Sequence, residues 1–197
     1  MGNGVYTALR SLSLFSFLGS PLKVWERTDR MKESKHPSLS RLMSLDNLRD
    51  LYQQVILERY KKPRHRGKTD PVHRYQKGHN PSCGDTIELT LKLNDQGNQI
   101  DDVRFEGEGC AIAMASADLM AEAMRGKTLE EALQMVQRFQ SMMQGQDEFP
   151  TELRKLNVMQ GVSQFPVRIK CATLTWHTLK AAIEATEAQP VGVVSNE

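Results

Sequence analysis

The sequence lacks any hydrophobic run long enough to cross a bilayer, because no stretch approaches the ~18–20 apolar residues that a spanning helix needs. It has no internal repeat and no low-complexity tract. It contains only three cysteines and no CxxC pair, and this small, odd number argues against a disulfide framework and favours a reducing compartment. No large basic face is predicted for the folded part, which argues against nucleic acid. We therefore expect a cytoplasmic protein with no membrane and no nucleic-acid partner.

Positive charge is concentrated at the N-terminus. Residues 1–42 contain seven Lys/Arg and three Asp/Glu, although the whole chain has a formal net charge of only +2. The segment makes a poor secretory signal. We expect an extension outside the fold, either disordered or translated upstream of a working start at Met43, with a transit peptide as the alternative. The domain is then expected over residues 43–189, followed by a flexible tail at 190–197.

From Met43 onward the hydrophobic pattern predicts one α+β domain. A helical stripe comes first and ends near Pro63. Residues 68–79 read as a polar loop. Strict alternation in "TIELTLKL", followed by "IDDVRFEGEG", predicts a β-hairpin with a longer loop.

Helices are predicted after the hairpin. The Ala- and Met-rich segment "AIAMASADLMAEAM" is one, and Thr128 with Glu131 forms a capping box that starts the next. An irregular segment then leads to a last helix that begins near Cys171. Strands first and helices after predict a small antiparallel β-sheet with helices packed on one face.

The cysteines lie at the predicted element boundaries. Cys83 and Asp85 occupy the turn "NPSCGD", and Cys110 ends the second strand of the hairpin. Antiparallel pairing brings the start of one strand beside the end of the next, so these three residues are predicted to be close. Cys171 joins them if the last helix packs across that end of the sheet, and a helix N-terminus there would favour its thiolate.

Three thiolates and one carboxylate form a ligand set that zinc accepts in tetrahedral geometry. Thiolates also suit iron–sulfur clusters. The alternative is that the cysteines are small buried apolar residues and that Asp85 only caps its turn. The spacing alone leaves both interpretations open, and the position of all three cysteines at element boundaries favours the metal.

Four segments resemble the U-type iron–sulfur cluster assembly family, the IscU/NifU N-terminal-like proteins. They are "LYQQVILERYKKPRHRG", "NPSCGD", "EGEGCAIAMASADLM" and "RIKCATLTWHTLKAAI", in that order. Within the family the chain is similar to the SufU branch. Lys170 stands where IscU-type proteins carry a histidine, and "QFPVRIK" replaces their LPPVK chaperone-docking motif.

The resemblance implies one zinc ion held by Cys83, Asp85, Cys110 and Cys171. It implies a sulfurtransferase role in which Cys83 accepts persulfide sulfur from a SufS-type cysteine desulfurase and Arg168 helps to orient docking. Downstream iron–sulfur scaffold or acceptor proteins are then the further partners. The alternative is a scaffold on which Cys83, Cys110 and Cys171 bind a transient [2Fe–2S] cluster. The missing histidine favours sulfur transfer.

Overall fold

The residues that the structure describes form four strands and four α-helices, an arrangement that the sequence predicts only in part. The structure, a computed structural model, describes residues 50, 52–185 and 193–195, so the expected extension over residues 1–42 lies outside the described residues. The elements are α1 (residues 52–61), β1 (Arg74–Asn80), β2 (Asp85–Leu93), β3 (Ile100–Glu108), α2 (Ala111–Met124), α3 (Leu129–Met143), a 3-10 helix (Thr151–Gln164), α4 (Pro166–Glu184) and β4 (Val193–Ser195). No helix among these residues is long and apolar enough to cross a membrane.

The strands form one sheet in the order β3-β2-β1-β4. The predicted hairpin is confirmed as β2 and β3, and its inward side chains Ile87, Leu89 and Leu91 are fully buried. Helices α2 and α4 pack against the sheet, and α3 packs against α4, where Phe139 stacks on Trp176 with ring centroids 4.1 Å apart. The predicted α+β class is therefore confirmed, although the sheet is mixed, because β4 pairs with β1 in parallel.

All of strand β1 except its last residue falls in residues 68–79, where a loop was predicted. Its buried positions are Gln76, Gly78 and Asn80, so it lacks the apolar alternation that identifies a strand. It is a strand because its backbone pairs with β2 and because α4 packs directly on it. A Cβ atom at Gly78 would lie 2.0 Å from Thr178 Oγ1 of α4, so only glycine permits this approach.

The start of α4 and the segment after it also differ from the sequence predictions. Helix α4 begins at Pro166, more than a turn before the predicted start near Cys171, because proline is suited to the first turn of a helix. Residues 193–195 fall in the predicted flexible tail, yet they form β4 along the other edge of β1. The unpaired backbone groups of an edge strand favour such an addition.

A buried carboxylate on α2 holds the segment that follows α1. Asp118 is fully buried, and its Oδ2 accepts a hydrogen bond from Arg59 Nη1 at 2.7 Å. Its Oδ1 accepts from the backbone N–H groups of Arg64 and His65 at 2.6 and 2.8 Å. Burial alone would raise the pKa of Asp118, but hydrogen bonds from His65, Arg59 and the two backbone amides outweigh it and lower the pKa to about 2.

Replacing Asp118 by Asn should destabilise the fold by about 3 kcal/mol at pH 7, because it leaves Arg59 buried without this charged partner. The folded pKa of Asp118 lies below its ordinary value of 3.8. Its contribution is therefore complete above about pH 4 and is lost as the pH falls towards 2. Urea unfolding between pH 7 and pH 2 should show the difference between the two proteins shrinking through that window.

Asp147→Asn is the control, because the ion pair of Asp147 with Arg138 is exposed and should contribute less than about 1 kcal/mol. A wild-type advantage over Asp118→Asn that stays constant down to pH 2 would contradict the proposed role of the Asp118 charge.

Candidate metal centre

The turn between β1 and β2 holds Cys83 at the rim of the sheet. The backbone N–H groups of Cys83 and Gly84 both donate to Asn80 O, at 3.3 and 2.8 Å. Gly84 has φ 72°, a left-handed conformation that glycine adopts without steric cost. The side chain of Asn80 accepts a further hydrogen bond from Ser82 N at 3.2 Å. The turn is therefore closed by its own backbone, and Cys83 remains half-buried at its tip.

Three predicted ligands converge beneath this turn. One ligand atom from each of Cys83, Asp85 and Cys171 lies within 4.8 Å of the others. The two sulfur atoms are 3.1 Å apart. Asp85 starts β2 and Cys171 comes from α4, and both are fully buried. The packing of α4 on β1 thus places a thiol from the distant C-terminal part of the chain against the turn.

The fourth predicted ligand, Cys110, borders this cluster without joining it. Cys110 is the N-cap of α2, and its sulfur accepts a hydrogen bond from Ala113 N at 3.5 Å. Its Sγ lies 4.0 Å from Asp85 Oδ2. The predicted closeness of the hairpin ends is therefore observed, with the Cys110 thiol turned towards the helix that it caps.

The carboxylate of Asp85 is fixed from both sides. Its Oδ1 accepts from Cys110 N at 2.8 Å and its Oδ2 accepts from Asn80 Nδ2 at 3.2 Å. Gly109 leaves room for this arrangement, because a Cβ atom there would lie 2.8 Å from Asp85 Oδ1. Each oxygen therefore has an N–H donor from the protein.

Cys171 behaves differently from the sequence prediction. A position at the head of a helix was expected to favour its thiolate, and this was wrong because Cys171 lies in the second turn of α4. Burial, together with the hydrogen bonds to Cys83 and Asp85, raises the pKa of Cys171. The buried thiol therefore keeps its proton unless a cation takes the proton's place.

Arg168 lies on the same helix, facing the thiols. Its Nη1 is 3.8 Å from Cys83 Sγ. Its pKa is raised by the neighbouring cysteine side chains, first of all by the hydrogen bond to Cys171. The guanidinium therefore places a cation beside the half-buried thiol of Cys83.

An open depression of about 630 Å³ lies over the cluster. Its lining residues are Ser82, Cys83, Cys110, Gln164, Phe165, Pro166, Val167 and Arg168. Phe165 and Val167 are 59% and 66% exposed, and exposed apolar surface rimmed by polar residues is typical of interaction sites. Sequence analysis missed both residues, because exposed apolar side chains have no periodic signal. It also missed Asn80, which stands within the quoted turn motif.

The fold and the site define a member of the NifU-like N-terminal domain family. The family model described as NifU-like N terminal domain matches residues 51–191, so the chain belongs to this family and the resemblance found in the sequence is confirmed.

Two members of the family are similar to this chain over most of their length. The chain is 46% identical over 142 residues to the zinc-dependent sulfurtransferase SufU of Bacillus subtilis, covering 72% of this chain and 95% of that protein. It is 43% identical to the iron–sulfur cluster assembly scaffold protein IscU of Streptococcus pyogenes serotype M1, covering 72% and 88%.

A solved structure agrees with these relatives. The crystal structure of a candidate iron–sulfur cluster assembly scaffold protein for the SUF system, from Fervidobacterium islandicum AW-1, superposes with a TM-score of 0.61 at 37% identity. The match covers 66% of this chain and 94% of that one.

Gly109→Ala tests whether the cluster binds a cation through Asp85. The new methyl group would push the carboxylate away from Cys110 N, so we expect at least a ~10-fold loss of Co²⁺ affinity, as is typical when the support of a ligand is removed. Titration of the thiolate–cobalt absorption measures it. Gly161→Ala is the matched control, since its new methyl would meet Tyr52 only at 4.0 Å. Equal affinities for the two variants would exclude a role for the Asp85 position.

Proposed function

We propose that this protein is a zinc-dependent sulfur acceptor that takes persulfide sulfur from a SufS-type cysteine desulfurase during iron–sulfur cluster assembly. The observation that carries the proposal is that Cys83, the half-exposed member of the three-residue cluster, lies in an open depression beside a buried thiol and a buried carboxylate. The similarity to the sulfurtransferase SufU supports the same function.

The residues fit zinc. Cys83, Asp85 and Cys171 already converge, and Cys110 borders them, which makes the sulfur- and oxygen-donor set that zinc prefers at four-coordinate sites. We propose these four residues as the ligands. Zinc, when bound, supplies the positive charge that keeps the thiols deprotonated. Because the four residues lie on the β1–β2 turn, at the start of β2, at the start of α2 and in the second turn of α4, a bound ion would connect these elements.

Cys83 is the best placed acceptor. It lies on a turn, which can shift without breaking a helix or a strand pairing, whereas Cys171 is buried in α4 and Cys110 caps α2. Arg168 Nη1 lies 3.8 Å from the Cys83 sulfur and places a cation beside it.

Sulfur transfer from the donor needs no oxidant and no reductant. The Cys83 thiolate attacks the terminal sulfur of the donor's persulfide, and a new S–S bond forms on Cys83. The S–S bond of the donor breaks, and its electron pair leaves with the donor's cysteine as a thiolate. A downstream scaffold or acceptor protein then receives the sulfur from Cys83.

The rim of the depression suits a protein donor. Phe165 and Val167 present apolar surface next to Arg168, in the depression that Cys83 also lines. We propose that the desulfurase docks here, because burial of this apolar surface provides the affinity while its persulfide reaches Cys83.

A cluster scaffold is the second candidate. The 3.1 Å separation of the Cys83 and Cys171 sulfur atoms, with Cys110 alongside, favours it, as does the relative named IscU. Among the described residues, however, no histidine joins the cluster. His79, the nearest in the sequence, instead lies 3.4 Å from Thr86 Oγ1. The donor set therefore favours sulfur acceptance.

Protein purified without added metal should contain zinc rather than iron with acid-labile sulfide. After one turnover with the desulfurase and its cysteine substrate, without reductant, peptide mass spectrometry should find one additional sulfur atom on Cys83. A Cys83→Ala variant should bind the desulfurase and gain no sulfur. Sulfur found only on Cys110 or Cys171, or full transfer by the variant, would refute the assignment.

We further propose that residues 1–42 are dispensable for this function, since the family match begins at residue 51. Deleting residues 2–42 should leave zinc content and stimulation of the desulfurase unchanged. Loss of zinc, or loss of stimulation at saturating desulfurase, would show that the extension contributes to the domain.

A further inference from the structure

The side chain of Asn80 touches three separate parts of the site. Asn80 is fully buried at the end of β1. Its Oδ1 accepts from Ser82 N in the turn at 3.2 Å. Its Nδ2 donates to Asp85 Oδ2 at 3.2 Å and lies 3.5 Å from Cys171 Sγ. One amide group therefore connects the turn, the first residue of β2 and the second turn of α4.

Turn formation explains only one of these contacts. An asparagine or aspartate side chain often accepts from the backbone N–H two residues later, as Asn80 does from Ser82. An aspartate would do the same, but it would place a second negative charge against Asp85 and would offer no donor to Cys171. The two contacts of Nδ2 need a neutral side chain that both accepts and donates.

The β-sheet determines which ligands this donor reaches. Asn80 and Asp85 are directly opposite each other in the pairing of β1 with β2, so their side chains are adjacent on one face. Cys171 reaches the same point because α4 packs on β1. Cys83, in contrast, has the exposed guanidinium of Arg168 beside its sulfur. The two buried ligands therefore share a neutral donor, whereas half-exposed Cys83 lies beside an exposed cation.

We propose that Asn80 is a positioning residue of the metal centre. Without being a ligand itself, it holds the Asp85 carboxylate and the Cys171 sulfur in the orientation in which they would bind zinc, so that these two ligands would still hold the ion when Cys83 accepts sulfur. The inference rests on the proposed zinc site and deepens it, because it assigns the retention of metal to a residue that is not a ligand.

Asn80→Ser separates the two roles of the side chain. A serine hydroxyl can still accept from Ser82 N, but it is too short to donate to both Asp85 and Cys171. We expect the variant to bind one zinc ion with an affinity about 10- to 100-fold lower, measured by competition with a chromophoric chelator. Its Co²⁺ form should also show altered ligand-field bands, because the geometry of the remaining ligands changes.

Asn157→Ser is the matched control. The Asn157 side chain also makes two hydrogen bonds, to Phe149 N and Phe149 O at 2.8 and 2.9 Å, and neither residue belongs to the cluster. This variant should lose stability while its zinc affinity and cobalt spectrum stay those of the wild type. A measurement on the wild type adds an independent readout: zinc binding should shift the side-chain amide resonances of Asn80 and slow their hydrogen exchange, and should leave those of Asn157 unchanged.

The outcomes distinguish this inference from the proposed function. Wild-type protein that binds neither zinc nor cobalt would overturn both. Wild-type protein that binds zinc, with an Asn80→Ser variant of equal affinity and equal cobalt spectrum, would overturn the role of Asn80 alone. Equal losses of zinc affinity in Asn80→Ser and Asn157→Ser would likewise overturn it. So would side-chain amide resonances of Asn80 that neither shift nor exchange more slowly when zinc is added.

Discussion

The close approach of α4 to β1 is the constraint on which the site depends. At Gly78 the strand has no side chain, and Thr178 of α4 occupies the space that a Cβ atom would need. Any larger residue would push the helix away from the sheet, and Cys171, on the same helix, would move with it. The thiol would then no longer reach Asn80 and Asp85 at the end of the same strand pair. A packing contact about two helical turns from the cysteine thus determines whether the cluster exists.

Helix α2 is fixed to α4 by polar contacts as well as by packing. The Ser116 hydroxyl donates to Ala172 O at 2.7 Å and accepts from Trp176 Nε1 at 3.1 Å. Both contacts are buried, and a buried polar group that lost its partner would carry a large desolvation cost. These two hydrogen bonds fix the axial position of α2 relative to α4. Cys110 and Cys171 therefore lie at the same end of the two helices.

The site combines rigid and exchangeable parts. Asp85 is held by a backbone amide and by Asn80, and Cys171 is buried within a helix. Cys83 is on a turn, half-exposed, beside an exposed arginine and two exposed apolar residues. The proposed role as a sulfur acceptor would use this asymmetry, because the reacting thiol would have to meet a partner protein while the rest of the centre stays intact. Uniform burial of all the ligands would suit a purely structural metal site better.

The sequence by itself determined the hairpin, the helix over residues 111–124, the capping box at Thr128 and the family, because each rests on local periodicity, on capping chemistry or on a contiguous motif. It also predicted that Cys83, Asp85 and Cys110 meet, since antiparallel pairing forces this. Only the tertiary structure decided that "RYQKGHN" is a strand, because its buried positions are filled by Gln76, Gly78 and Asn80, which are recognisable as a core face only once α4 lies on them. The same packing decided that Cys171 is a buried thiol with a raised pKa rather than a thiolate at a helix head. Desolvation depends on what surrounds a side chain in space, and neighbours in the sequence do not supply that information.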